Sequence, residues 1–339
     1  MTVALVTFFV LSYLLTGLVR RLALASQLLD VPNYRSSHLV PTPSGGGIAI
    51  VVCWLTGSML AGLVNIVDWQ LLISILPPAL AIASVSLVDD KVGVPAGPRI
   101  LVHLVSAGWF IAVNDGIPAF ELSLLDDAPL MMAVVYVIGL IWLTNLFNFM
   151  DGIDGIAGAQ AVFYNVVMSI FSFIAGAQDV AALSAILAAS CAGFLIWNWP
   201  PARIFMGDTG SSCLGFVMGA MAIYVSIKTE IPVWTWIILL GVFLVDATVT
   251  LIRRVVSGQR WYEAHRSHTY QILSRRWSSH RRVTLTVASV NVGWLLPMSA
   301  GAYLLPEWSP VIALLALTPL ALIAMTLGAG KVEYPPPRS

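Results

Sequence analysis

Eleven runs of apolar residues, each long enough to cross a bilayer, follow one another along this 339-residue chain. They lie near 2–19, 46–66, 70–88, 99–114, 130–147, 156–176, 180–198, 212–227, 232–252, 283–304 and 309–328. About 20 apolar residues carry a helix across the hydrocarbon core. Inside lipid a backbone must satisfy its own hydrogen bonds, which leaves helices or closed barrels. Barrel strands alternate in polarity, whereas these runs are continuous. The chain therefore reads as an all-α, polytopic membrane protein with about eleven transmembrane helices, ten or twelve being the neighbouring counts. Apolar residues make up 58% of the chain and charged ones 10%, far from the roughly one-quarter charged of a soluble domain. No nucleic-acid partner is expected.

Charge distribution orients the bundle. No basic residue precedes the first apolar run, and Arg20 and Arg21 follow it. That order is the reverse of a cleaved signal peptide, so a retained first helix with its N-terminus outside is expected. Threading from there places 20–45, 89–98, 148–155, 199–211, 253–282 and the segment after 328 inside. Sixteen of the seventeen Lys and Arg residues then face inward, counting Arg99 with its loop and leaving only Lys228 outside, as the positive-inside rule asks. One integral-membrane domain over 1–328 is expected, with a disordered Pro-rich cytoplasmic tail over 329–339. Cys53, Cys191 and Cys213 sit singly in apolar runs, which suits packing better than disulfides or zinc.

The polar residues that remain gather on the inward side. Residues 145–155 read Asn-Leu-Phe-Asn-Phe-Met-Asp-Gly-Ile-Asp-Gly, which spaces Asn145, Asn148, Asp151 and Asp154 by three. On a helix that spacing holds side chains near one face, and carboxylates at a membrane helix end call for a cation or a function. An Asp-Gly turn is the plainer account. Asp89 and Asp90 leave the third run together; they are tolerable when solvated and useful beside a divalent cation or a basic partner such as Lys91. Gly45 to Gly47 open the second run, either as a tight turn or as amides for a phosphate. Asp208, within Phe205-Met-Gly-Asp-Thr-Gly-Ser, begins another helix and can cap it or ligate Mg²⁺. The long loop from Arg253 has room for one short amphipathic helix and holds His265-Arg266-Ser-His268-Thr-Tyr270-Gln271. No Cys or further His stands at zinc spacing from His265 and His268, so nucleotide phosphates and a base suit them better. Five carboxylates and two histidines in four loops on one face describe a site for metal-assisted phosphate chemistry.

With Asp89-Asp90, Asn145-x-x-Asn148-x-x-Asp151-Gly-x-Asp154-Gly and Phe205-Met-Gly-Asp208-Thr-Gly-Ser in order, the chain resembles the bacterial polyprenyl-phosphate N-acetylhexosamine-1-phosphate transferases. These form glycosyltransferase family 4, the superfamily that includes phospho-N-acetylmuramoyl-pentapeptide transferase. The resemblance covers nearly the whole chain to about 328. It implies transfer of a sugar 1-phosphate from a UDP-N-acetylhexosamine to undecaprenyl phosphate with release of UMP. It also implies dependence on Mg²⁺ or Mn²⁺, and an active site on cytoplasmic loops of a multi-pass inner-membrane protein. By position, Asp208 would ligate the metal, Asp89 and Asp90 would activate or orient the lipid phosphate, and Asp151 and Asp154 would complete the catalytic carboxylates. Lys91, Asn145, Asn148, His265, Arg266 and His268 would bind substrate. Dimers occur in the family, though no interface is legible in these residues.

Two departures refine the resemblance. Gly93 stands where many relatives carry another Asp, and His265-Arg-Ser-His268 does not match the three successive histidines of the muramoyl-pentapeptide enzymes. The loop looks more like the branch that initiates O-antigen or other surface glycans of lipopolysaccharide and the cell envelope, some with N-acetylfucosamine or N-acetylquinovosamine. The competing class is a transporter or flippase of a phosphorylated or lipid-linked substrate. Transporters place ionisable groups mid-membrane, and only Asp246 lies clearly within a run, either lining a cavity or paired inside the bundle.

Overall fold

The computed structural model describes residues 2–32, 40–114, 116–118, 120, 128–259 and 265–331. Its helices, in chain order, are α1 (Thr2–Ala25), α2 (Gly47–Leu63), α3 (Trp69–Val92), α4 (Ala96–Val113), α5 (Pro129–Met150), α6 (Ile156–Ile174), α7 (Gln178–Asn198) and α8 (Asp208–Lys228). There follow α9 (Val233–Leu239), α10 (Gly241–Val256), α11 (Thr269–Trp277), α12 (His280–Val290), α13 (Leu296–Leu304) and α14 (Ser309–Leu327). A two-residue antiparallel pair, Leu29–Asp30 with Thr42–Pro43, is the only sheet among the described residues. Each of the eleven apolar runs finds its helix. Among the described residues nine spans meet the length and hydropathy of a membrane crossing, α9 with α10 makes a tenth, and α2 falls just short at 17 residues. The protein is a polytopic all-α membrane protein. Of the expected tail over 329–339, Ala329 and Gly330 are hydrogen-bonded to Arg253, Gln259 and Ser267, and residues 332–339 lie outside the described residues.

α8 is the axis of the bundle. Of its span 89% is buried, against 17% for α1 and for the last span. Small residues make that position attainable, because helices without a hydrophobic drive in lipid pack where their backbones approach. A Cβ at Gly215 would run into the Leu143 carbonyl of α5, and one at Gly210 would meet Gly47 Cα of α2 at 2.6 Å. Helices also extend past their apolar runs. α3 continues through Asp89, Asp90 and Lys91 to Val92 and ends at Gly93, with φ 69°. α8 begins four residues before its run, at Asp208. Hydropathy marks where lipid stops, whereas a helix stops at its caps.

The run at 232–252 departs from expectation. It forms two helices, α9 and α10, meeting at 79°. A break frees backbone groups that lipid cannot satisfy, and here the Leu239 carbonyl accepts from Gln160 Nε2 at 3.0 Å. Gln160 Oε1 in turn accepts from Asn291 Nδ2 at 2.6 Å. Asn291 opens a π-helical turn, Asn291–Leu295, just ahead of Pro297. The bend brings Asp246 of α10 against α11, which docks beside the turn after α5 that carries Asp151.

Gly215→Ala is expected to lower the heat stability of the detergent-purified protein by about 1–3 kcal/mol, since the obstacle is backbone. Gly139→Ala, where an added Cβ meets nothing within 4 Å, is expected to raise it by about 0.5–1 kcal/mol. Paired thermal melts of the two variants check both.

Candidate active site

The N-terminus of α8 is capped from another helix. The Asp90 carboxylate, in the last turn of α3, accepts the N–H groups of Asp208 at 3.0 Å and Thr209 at 3.1 Å, and the Thr209 hydroxyl at 2.8 Å. A carboxylate at a helix N-terminus satisfies orphan donors and meets the positive end of the dipole. Gly207 permits the approach: its φ is 78°, and a Cβ there would lie 3.2 Å from Asp90 Oδ2. Asp208 is therefore the first helical residue rather than the cap, and its side chain stays 37% exposed.

Asp89 turns elsewhere, because neighbours on a helix diverge by about 100°. It pairs with the Arg99 guanidinium from α4 and accepts the Val94 N–H at 2.6 Å. Arg99 Nη1 also stands 3.6 Å from Asp208 Oδ2. One guanidinium thus faces carboxylates of both α3 and α8. Arg99 was counted above only as a topology charge, and its sole sequence signal was a cation ten residues beyond Asp89. Lys91, expected to serve the acidic pair, is exposed at the end of α3.

The four residues at spacing three do not share one helical face, since α5 ends at Met150. Asn145 Nδ2 donates to Ile141 O at 2.7 Å and lies 3.3 Å from His103 Nδ1 on α4, whereas Asn148 Nδ2 donates to Ser211 Oγ on α8 at 3.1 Å. Asp151 follows the helix end, and Asp154 sits in the turn before α6. The two carboxylates differ sharply in surroundings. Asp154 Oδ2 accepts the Ala202 N–H at 3.0 Å, and its Oδ1 lies 3.1 Å from His280 Nδ1. Its carbonyl accepts the Thr284 hydroxyl at 2.9 Å. Asp154 thereby ties the α5–α6 turn to the segment before α8 and to α12. Desolvation, followed by the charges of Asp208, Asp90 and Asp154, pushes the Asp151 carboxyl well above the usual range.

The histidine loop docks beside this turn. Tyr270, at the start of α11, donates its hydroxyl to Phe149 O at 2.9 Å and lies so close to Gly152 that a Cβ there would run into its oxygen. Burial and the charges of Asp246 and Asp151 raise the phenol of Tyr270. The rings of His265 and His268 lie 4.9 Å apart, and His268 stacks on Tyr270 at 5.7 Å. Burial, then His268 and Arg254, push His265 down to about 3, so it is neutral at physiological pH. Arg266 is partly buried in the same loop, and its carbonyl accepts from Arg275 Nη1 at 2.9 Å. The short helix expected in this loop is α11. Residues 260–264 lie outside the described set.

The glycines at 45–47 pack rather than present amides. The N–H groups of Gly46 and Gly47 donate to Phe205 O at 2.9 Å and Met206 O at 2.8 Å. Among the described residues no three His, Cys, Asp or Glu side chains form a ready-made metal cage. The donor set does fit Mg²⁺, which takes one or two carboxylates and fills its other positions with water and phosphate. Asp208 is partly exposed and Asp151 lies within its electrostatic reach. Like charges crowded this way are what a dication relieves. Sequence reasoning missed Arg99 and His280; His280 follows Ser279, the N-cap of α12, in a stretch dominated by arginines.

Comparison with known proteins bears on the same residues. A family profile described as "Glycosyl transferase family 4" matches residues 72–226, which hold all five carboxylates but not the histidine loop. The chain is 29% identical to a probable undecaprenyl-phosphate N-acetylglucosaminyl 1-phosphate transferase of Bacillus subtilis, over 85% of this chain and 80% of that protein. It is 25% identical to the decaprenyl-phosphate N-acetylglucosaminephosphotransferase of Mycobacterium leprae, over 82% and 78%. It is 30% identical to the phospho-N-acetylmuramoyl-pentapeptide-transferase of Moorella thermoacetica, over 79% and 86%.

Asp151→Asn is expected to raise the melting temperature of the metal-free protein at neutral pH. A raised folded pKa makes ionisation costly above the unfolded value, so the gain should vanish as pH falls to about 3.8, the ordinary carboxyl value. Melts across pH in EDTA read this directly. His265→Gln is expected to leave the acid limb of any pH–activity profile unmoved between about pH 5 and 8, because a histidine held neutral has no charge to lose there.

Proposed function

We propose, from the premise that this chain belongs to glycosyl transferase family 4, that it transfers an N-acetylhexosamine 1-phosphate from a UDP-sugar to undecaprenyl phosphate and releases UMP. The coarser statement, a sugar-phosphate transferase acting on a polyprenyl phosphate with a nucleotide-sugar donor, agrees with the names of its relatives. One observation carries the reading. Asp89 and Asp90 of α3, Asp208 of α8 and Asp151 in the turn after α5 gather at one end of the bundle, where the Arg99 guanidinium faces Asp89 and Asp208. Two anionic substrates must meet there, and the chain's own charge is otherwise of the wrong sign for them. Bound Mg²⁺ or Mn²⁺ would neutralise the diphosphate and polarise its phosphoryl oxygens.

In this reading the lipid phosphate oxygen attacks the β-phosphorus of the donor and UMP departs with the bridging oxygen. A phosphomonoester has its second pKa near 6, so the attacking group is largely a dianion already and needs orientation more than deprotonation. Asp208 and Asp151 are the carboxylates placed to hold the metal. Asp90 fixes α8, and Asp89 fixes Arg99, whose guanidinium faces the place where phosphate charge would collect. Asn148 holds the start of α8 from α5 through Ser211. Asp154, bonded to Ala202 and beside His280, keeps the turn carrying Asp151 in place. This assigns Asp90 and Asp154 positioning roles and makes Asp89 a support for a cation. His265, His268 and Arg266 are proposed to meet the nucleotide-sugar, and Lys91 and Asn145 remain proposed substrate contacts.

The site would face the cytoplasm, where nucleotide sugars are made, with the chain in the bacterial inner membrane. Initiation of O-antigen or another surface glycan is the finer proposal for its place in the cell. The transporter alternative loses its main support in Asp246, whose carboxylate accepts the Thr269 N–H at 2.7 Å and the Tyr270 N–H at 3.0 Å.

The test is UMP release by detergent-purified protein given undecaprenyl phosphate and a panel of UDP-N-acetylhexosamines, beginning with UDP-N-acetylglucosamine. Release that requires lipid and Mg²⁺, disappears in EDTA and falls at least about 100-fold in Asp208→Asn is expected. No release from any donor by folded protein would overturn the reading.

A further inference from the structure

The proposed reaction leaves unexplained a carboxylate buried in the bent helix. Asp246, on α10, is 4% exposed. Its Oδ1 accepts the Thr269 N–H at 2.7 Å and the Thr250 hydroxyl at 3.3 Å, and its Oδ2 accepts the Tyr270 N–H at 3.0 Å. Those two amides belong to the first turn of α11, where His268 and Gln271 form a capping box that leaves the N–H groups of Thr269 and Tyr270 to Asp246. A carboxylate brought from another helix thus takes the capping role, as Asp90 does for α8. His268 Nδ1 also lies 3.6 Å from Asp246 Oδ1, with the side chain 5% exposed.

What hangs from this cap is the histidine loop. Tyr270 reaches from it to Phe149 O, at the end of the helix that leads into Asp151. Asp246 itself is aimed by the 79° bend, which Gln160 and Asn291 hold. A continuous path therefore runs from the break at Leu240, through Asp246, to the first turn of α11 and on to the carboxylate turn.

We propose that Asp246 is a positioning residue for the nucleotide-sugar: its carboxylate fixes the 265–270 loop against the Phe149–Gly152 turn, so that the loop is preformed to receive the donor, while Asp89 and Arg99, on α3 and α4, are held without it. This rests on the transferase reading for the identity of the donor. The docking of the loop does not rest on it.

Three variants of the full-length protein in detergent test the proposal. Asp246→Asn keeps the shape but removes one of the two acceptor oxygens. Thr269→Pro removes the Thr269 N–H, together with a hydroxyl that makes no hydrogen bond, at the first position of a helix where proline is tolerated; His268, at φ −68° and ψ 149°, already has the extended backbone that precedes proline. Tyr270→Phe removes the far end of the path. In Asp246→Asn the KM for the UDP-sugar is expected to rise about tenfold, the cost of one hydrogen bond to a charged group. The KM for undecaprenyl phosphate should stay within about twofold, inside the error expected for independent sites. Thr269→Pro should reproduce the donor effect, and Asp246→Asn with Tyr270→Phe should be no worse than the stronger single change, since both cut one path.

Hydrogen exchange supplies the arm that needs no activity. Peptides over 265–277 and 149–155 should exchange faster in Asp246→Asn, with those of α1 and α7 unchanged. Silent wild-type enzyme with that exchange pattern would sink the transferase reading and keep the docking. Unchanged exchange, an unchanged donor KM in both Asp246→Asn and Thr269→Pro, or an equal rise in both substrates' KM values would each overturn the proposal.

Discussion

The Asp90 carboxylate on the first amides of α8 is the interaction on which the site depends. The first amides of α8 have no partner within their own helix, and α8 is the most buried span among the described residues, where an orphaned donor is costly. A cap drawn from the helix's own first turn would have engaged Asp208. Drawing the cap from α3 leaves the Asp208 side chain partly exposed and facing Arg99. The same bond locks α3 to α8, and with them Asp89 and Arg99. Packing and chemistry are one arrangement here: the glycines that bring α2 and α5 onto α8 also set where its first turn can lie.

A second device of the same kind closes the other half. Asp246 caps α11 as Asp90 caps α8, each a carboxylate from one helix on the amides of another. A carboxylate on backbone amides is fully hydrogen-bonded without a counter-cation, which is how a low-charge bundle keeps carboxylates inside it. The reading of Asp246 as a transport residue loses support on this geometry, because both its oxygens already accept hydrogen bonds within the bundle.

Much of the architecture was legible in the residues because lipid imposes a simple code. Each of the eleven runs found a helix, and the carboxylates fell at one end as the loop assignment required. What stayed hidden depended on contacts distant in sequence. The bend at Leu240 lies in a run of uniform apolarity, and Gln160 and Asn291, 80 and 51 positions away, hold it. Arg99 looked like a topology charge, because nothing in its neighbours reveals that α4 turns it toward α3 and α8. Asp89 and Asp90 read as a pair, yet successive helical positions point apart, and the two serve different partners. The spacing of three through Asn145, Asn148, Asp151 and Asp154 suggested one face; a helix ending at Met150 dissolves that face.

The contrast between Asp151 and Asp154 argues most directly for a cation. Their sequence settings, each followed by glycine, are nearly identical. Asp154 has an amide, a histidine and a neighbouring hydroxyl around it, and its turn is fastened on two sides. Asp151 instead lies where burial and three other carboxylates oppose its charge. Arg99 supplies one positive charge toward a cluster of four carboxylates, and it is already paired with Asp89. Like charges held together without local compensation destabilise a fold and persist where a ligand gives them a use. Substrate phosphates alone would deepen the imbalance. In the proposed reading a dication would be the ligand whose charge offsets both, and the position of Asp151 would then serve phosphoryl chemistry rather than the stability of the bundle.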